Sequence, residues 1–212
     1  MNTTRVGDVE ITWFGHDTFR IRGSIVVYTD PFAPIKDPDK ADIILVSHEH
    51  YDHCDPRKIS QLQKENTVIV TTPGCSVKLS GDVREVREGE SIEISGAEVR
   101  VMPAYNTKKP FHPRGSGVGF VLRLDGVSIY HPGDTDFVEE MKGLKPDVAF
   151  LPIGGTYTMD VSEAIDAAIA IKPKIAIPMH YNYINGTRAD PDQFKDGLNK
   201  RDPGIEVRIL EP

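Results

Sequence analysis

The order in which short apolar runs alternate with turn residues constrains this chain more than any other feature of its sequence. Residues 9–14, 18–22 and 25–29 are strand-like runs set close together between Gly, Asp and Ser, as antiparallel hairpins are. An unbroken apolar run follows at 43–46, of the kind covered on both faces. Residues 56–64 are polar with Ile59 and Leu62 three apart, a short amphipathic helix that Asp55 can cap. A buried strand at 68–70 and a short helix at 76–79 complete the first half. The pattern then starts again, with strands at 83–86, 91–94, 98–102, 118–124 and 127–130 and an Asp125-Gly126 hairpin turn between the last two. The final third alternates: strand 148–151, helix 161–171, strand 174–178, helix 191–200, strand 205–209. Two halves, each made of strands followed by strand–helix units, predict two sheets packed face to face with helices outside, an α/β sandwich of four layers. At 212 residues and without a linker or low-complexity stretch, one domain over 1–212 is expected.

The seven histidines are not scattered. Three fall in Ser47-His48-Glu49-His50-Tyr51-Asp52-His53, directly after the apolar run at 43–46. A loop leaving a buried strand can aim side chains into a cleft, and residues two apart on an extended segment point to one side, roughly 7 Å apart. His48 and His50 can converge on one cation as the loop curves, while Asp52 and His53 face a second. Imidazole mixed with carboxylate suits zinc first, with iron or manganese as alternatives.

His-x-His-x-Asp-His resembles the signature of the metallo-β-lactamase superfamily of metal-dependent hydrolases, and further motifs stand in that family's order. Asp30, in Tyr28-Thr29-Asp30-Pro31, resembles the acidic residue that supports the metal loop. Asp134, in His131-Pro132-Gly133-Asp134, resembles the bridging carboxylate, and His180, in Pro178-Met179-His180-Tyr181, the last ligand. Trp13-Phe14-Gly15-His16 and residues 151–159 resemble one compact branch, which includes L-ascorbate-6-phosphate lactonase-like proteins. The resemblance implies the metallo-β-lactamase fold, a four-layer αβ/βα sandwich of two mixed sheets flanked by helices. It also implies two divalent metal ions held by His48, His50, Asp52, His53, His112, Asp134 and His180. His112 enters that set as a replacement. The branch carries Ala-x-His near the end of the strand before the third ligand, and this chain has Ala104-Tyr105-Asn106 there, with His112 six residues on. Whether His112 or Asn106 completes the first site stays open at this point.

Two divalent ions sharing a water lower its pKa from 15.7 toward about 7, so no serine or cysteine nucleophile is needed. Asp52 is the expected catalytic carboxylate, orienting that water. The implied reaction is hydrolysis of a small-molecule ester, lactone or phosphodiester. A nuclease and a non-catalytic metal-binding sensor or scaffold are the alternatives. A net charge of −7 and the lack of a long basic insertion argue against RNA or DNA as substrate. Lys108, Lys109 and Arg114 surround His112 and make an anionic small molecule the expected substrate, unless they form a solvated loop face. His16 and His131 are expected to support or pack, Asp136 to cap a following helix, and Cys54 and Cys75 to be no ligands. No apolar stretch approaches the roughly 18–20 residues that cross a bilayer. The opening MNTTRVGDVE does not read as a signal peptide, and two cysteines make no disulfide framework, so the cytoplasm is the expected compartment. A homo-oligomer is left open.

Overall fold

A computed structural model describes residues 1–212. β1 (Thr3–Val6), β2 (Val9–Gly15), β3 (Thr18–Arg22) and β4 (Val26–Thr29) form an antiparallel meander. β5 (Ile43–Val46), β6 (Val68–Thr71) and β7 (Asp82–Glu85) then add in parallel to β4 and complete a seven-stranded sheet in sequence order. α1 (Pro56–Leu62) and α2 (Pro73–Ser76) fill the crossovers. The second sheet repeats the scheme. β8 (Ser91–Ile94), β9 (Ala97–Ala104), β10 (Gly117–Leu124) and β11 (Val127–His131) are antiparallel, and β12 (Val148–Pro152), β13 (Ile175–Met179) and β14 (Glu206–Val207) follow in parallel. α3 (Val161–Ile171) and α4 (Pro191–Arg201) connect them. Two mixed seven-stranded sheets with helices are the architecture the sequence predicts.

β5 shows why its run is unbroken. Ile43 and Leu45 enter the main core between the sheets, while Ile44 and Val46 enter a smaller cluster with Ile59 and Leu62 of α1. Both faces are covered, so alternation disappears. Across the main core Phe19 of β3 stacks on Phe150 of β12, ring centroids 3.9 Å apart. α3 starts with a reciprocal cap between Asp160 and Glu163, which satisfies the amides at both ends of its first turn.

The differences from the sequence reading lie at weakly patterned ends. β1 has one apolar residue in Thr-Thr-Arg-Val and forms only as an edge strand paired with β2. The helix expected at 76–79 forms earlier, over Pro73–Ser76, because Pro73 is already set for a first helical position. β9 runs on through Pro103 to Ala104; its pairing with β8 ends at Arg100, so no ladder bond on that side is lost to the proline. No helix is long and apolar enough to cross a membrane.

Asp147 ties three strands of the second sheet together. It accepts from the Ser128 amide at 2.8 Å, from Ser128 Oγ at 2.7 Å and from Lys174 Nζ at 2.7 Å. Burial works against the charge, but these donors outweigh it and hold the carboxyl at about 2, below its ordinary 3.8. A carboxyl depressed in the folded state adds stability above its unfolded pKa and loses it as pH falls through the folded value. Wild-type stability in urea is therefore expected to fall between about pH 4 and 2, and Asp147→Asn to remove that part of the fall.

Candidate metal centre

Each candidate site residue lies on a loop that follows a strand, and the topology places the ends of those strands on one edge within each sheet. β2 and β4 both run antiparallel to β3, and β5 continues β4 in parallel. β9 and β11 both run antiparallel to β10, and β13 continues in parallel through β12. Hence His16, Asp30, the His48–His53 loop, Asn106, Asp134 and His180 leave their strands in one direction within each sheet. Three of them turn sharply. His16 (φ 52°), Asp30 (φ 37°) and His180 (φ 53°) are left-handed residues directly after β2, β4 and β13. Such a conformation costs a non-glycine residue roughly 1–2 kcal/mol and persists only where packing holds it.

The hydrogen bonds decide which ring nitrogen each histidine offers. Ser47 Oγ donates to Asp30 Oδ2 at 2.6 Å, so its lone pair takes His48 Nδ1–H at 3.0 Å and leaves His48 Nε2 bare. His53 Nδ1 donates to the same Asp30 oxygen at 2.8 Å, leaving Nε2 bare and without a partner. Asn106 Oδ1 accepts from the His112 amide and from His112 Nδ1, each at 3.0 Å, so His112 Nε2 is bare as well. His48 Nε2 and His112 Nε2 then face His50 Nδ1 at 3.0 and 3.2 Å. A proton on His50 can lie along only one of these vectors. Tetrahedral ligands bonded at about 2.0–2.1 Å stand about 3.3–3.4 Å apart, so three converging nitrogens fit a divalent cation such as zinc.

Asp134 joins this trio to a second group. Its Oδ2 lies 3.2 Å from His112 Nε2, and its Oδ1 lies 3.4 Å from His53 Nε2 and 3.1 Å from His180 Nε2. His53 Nε2, His180 Nε2 and Asp134 Oδ1 are buried and lack hydrogen-bond partners, a costly state that a shared cation relieves. Asp52 completes the group, its Oδ2 3.7 Å from His53 Nε2 and 3.0 Å from His16 Nε2. The structure thus brings His48, His50 and His112 to one side of Asp134, and Asp52, His53 and His180 to the other.

The field matches that division. Burial and the nearby His53 hold the His48 ring well below its ordinary pKa, and burial with His112 lowers His50, which favours the neutral form a metal ligand needs. On the other side burial opposes a charge on His180, but Asp134 and Asp17 outweigh it and lift its pKa to about 9. His53 is likewise raised against burial, by Asp134 and Asp30. A field that holds a proton so firmly also favours a metal cation. His16 is pushed by burial to about 4, so as a neutral ring it donates Nε2–H to Asp52. Burial raises Asp52, but the His16 bond prevails and holds it at about 2.

Asn106 faces away from the candidate ligands except through His112. Its Nδ2 donates to Asp136 Oδ1 at 3.0 Å and to the Tyr157 carbonyl at 2.9 Å, so both ends of the amide are used. Asp136 does not cap a helix as the sequence suggested. It accepts from Asn106, the Thr107 amide and Lys109 Nζ, and so anchors the loop that carries His112; the short 3-10 turn that follows, Glu139–Met141, is preceded by Val138. His131 accepts from the Gly133 amide and donates to the Asp17 carbonyl, bracing backbone on either side of the site. Cys54 and Cys75 are buried in the small cluster under α1.

Asp17 is the residue that sequence reasoning missed. It is fully buried, neither carboxylate oxygen has a hydrogen-bond partner, and Oδ2 lies 3.4 Å from His53 Nδ1. The one available signal was its place beside His16 in the Trp13–His16 motif. Asp17→Asn is expected to leave the fold intact and to weaken any metal bound at His53 and His180 about 10–100-fold, as loss of a carboxylate behind a ligand does; calorimetric metal titration reads it.

Gly133 lets the two halves meet. Its φ is +63°, and a β-carbon there would stand 2.9 Å from Ser47 Cβ, so the Asp134 loop can approach the His48 loop only as glycine. Gly133→Ala should cost at least about 1–2 kcal/mol in urea denaturation from the backbone alone.

Known proteins share this fold and motif order. A family model described as a beta-lactamase superfamily domain matches residues 10–180. A metal-dependent hydrolase of the UPF0173 family from Thermoplasma acidophilum is 40% identical over 89% of this chain and 90% of its own, and one from Archaeoglobus fulgidus is 34% identical over 96% of each. A structure described as a metal-dependent hydrolase from Parabacteroides distasonis superimposes with a TM-score of 0.86 at 36% identity, over 99% of this chain and 97% of that one. A metallo hydrolase from Ignicoccus hospitalis gives 0.82 at 27% identity, over 96% and 95%. Fold and site together define a metallo-β-lactamase superfamily protein. Within that superfamily the chain belongs to the UPF0173 metal-dependent hydrolase family.

Proposed function

We propose that this protein hydrolyses a small-molecule ester, lactone or phosphodiester with two divalent metal ions, zinc being the best match to the donors. One observation carries the reading: a single carboxylate, Asp134, turns one oxygen to His112 and the other to His53 and His180. His48, His50 and His112 would hold one ion, Asp52, His53 and His180 the other, and Asp134 both. Bound there, such ions polarise the scissile oxygen and bring the pKa of water toward about 7. The chain's own residues set the geometry. Asp30 and Ser47 fix His48 and His53, Asn106 fixes His112, and His16 fixes Asp52. Asp52, kept ionised by its hydrogen bond from His16, would orient the attacking water. The motif likeness of residues 13–16 and 151–159 to lactonase-like proteins keeps lactones prominent among the candidates.

The test is metal analysis of the purified protein, followed by assays on a chromogenic phosphodiester, an ester, a lactone and an RNA oligonucleotide. About two ions per chain and turnover of a small molecule are expected. Cleavage of the RNA alone, or no turnover with both ions bound, would overturn the reading.

A further inference from the structure

The site opens into a cavity of about 350 Å3 lined by His50, Tyr51, Asp52, Phe111, His112, Asp134, Tyr157, Ile184 and Asn185. That volume is at the small end of the roughly 300–1,000 Å3 typical of small-molecule sites. A larger hollow of about 1140 Å3 between the starts of α3 and α4 contains no residue of the metal centre.

We propose that the cavity selects a substrate that is uncharged away from its scissile bond and carries an aryl or similarly flat apolar group, held among Phe111, Tyr157, Tyr51 and Ile184. The assignment rests on the hydrolase reading above and adds the chemistry of the group that is not cleaved. Three facts support it. First, the walls are aromatic: Phe111 and Tyr157 meet edge to face at 4.9 Å, and Tyr51 meets Phe32 likewise at 5.8 Å. Tyr51, Phe111, Tyr157 and Ile184 come from four loops, after β5, β9, β12 and β13, that meet at this cavity. Second, Tyr51 (70% exposed) and Phe111 (41%) are two of the five large hydrophobic residues left most open to water, and a third, Tyr183 (38%), stacks on His16 beside the cleft. Clustered apolar exposure of this kind marks a binding surface.

Third, no lysine or arginine lines the cavity, and its only carboxylates, Asp52 and Asp134, belong to the metal centre. Of the three basic residues around His112, Lys108 is exposed and does not line the cavity, and the other two are engaged elsewhere. Lys109 pairs with Asp136 at 2.7 Å and Glu163 at 3.2 Å. Arg114 pairs with Glu88 at 3.1 Å and Glu140 at 2.9 Å, and lies over the Tyr105 ring. A phosphate or carboxylate remote from the metal centre would lose its hydration and find no charged donor in return. An aryl group instead gains ring-to-ring contacts and buried area.

The experiment uses three γ-lactones with the same scissile ring, bearing a phenyl, a methyl or a phosphomethyl substituent. Assayed with the metal-loaded protein, kcat/KM should rank phenyl over methyl by about 10–100-fold, with the phosphorylated lactone lowest. Phe111→Ala and Ile184→Ala, with metal content checked, should each shrink the phenyl-to-methyl ratio about tenfold. Calorimetric binding of the same compounds separates the two claims. If none is hydrolysed but affinity still ranks phenyl, methyl, phosphomethyl, the hydrolase reading fails for lactones and the aryl assignment stands. Equal treatment of phenyl and methyl, preference for the phosphorylated compound, or ratios untouched by both substitutions would overturn it.

Discussion

Asp134→Ala is expected to abolish hydrolysis and to strip both metal ions, leaving well under one per chain by mass spectrometry. The reason is the reach of one side chain. Its two oxygens face His112 on one side and His53 and His180 on the other, all in a buried setting. Without it, five imidazoles and Asp52 must gather two divalent charges with one carboxylate fewer between them. Lewis-acid catalysis supplies several kcal/mol, and each 1.36 kcal/mol is tenfold in rate, so a loss of about 10³-fold or more follows. Nearby His131 sets the contrast. It touches backbone at Gly133 and Asp17 and no ligand, so His131→Ala should lower activity or metal affinity about 10–100-fold and destabilise the fold by roughly 1–3 kcal/mol through unpaired polar groups. Equal losses in the two variants would show that the metal-binding role has been given to the wrong residue.

His112→Ala is expected to halve the metal content, from about two ions per chain to about one, with a large loss of activity. The ion at His48 and His50 would lose its third nitrogen, while Asp52, His53, His180 and Asp134 remain. Asn106→Ala should behave differently. It removes the acceptor that fixes the His112 tautomer and two donated bonds to Asp136 and Tyr157, yet no ring nitrogen. Both ions should still bind, the first about 10–100-fold more weakly. Retention of both ions by His112→Ala with loss of one by Asn106→Ala would make Asn106 the ligand.

The sequence by itself determined a good deal of this. The unbroken apolar run at 43–46 specifies a strand covered on both faces, and that depends only on side-chain period and burial. The His48–His53 cluster was equally legible, since its residues are local in the chain and their chemistry is written in their types. Candidate ligands distant in sequence, Asp134 and His180, came from motif resemblance rather than from spacing. Tertiary structure alone decided the rest. Asn106 and His112 looked like rivals for one role, and only the folded loop shows one orienting the other. Asp17 gave no pattern, because its meaning comes from facing His53, 36 residues away, in a place water does not reach. The free nitrogen of each histidine is set by partners such as Asp30 and Asn106, which the chain brings together across strands. The lysines beside His112 are local neighbours in sequence, yet Lys109 is taken up by carboxylates 27 and 54 residues away. Local order fixes residue type and period, whereas hydrogen-bond partners and desolvation arise only when distant segments share one buried edge.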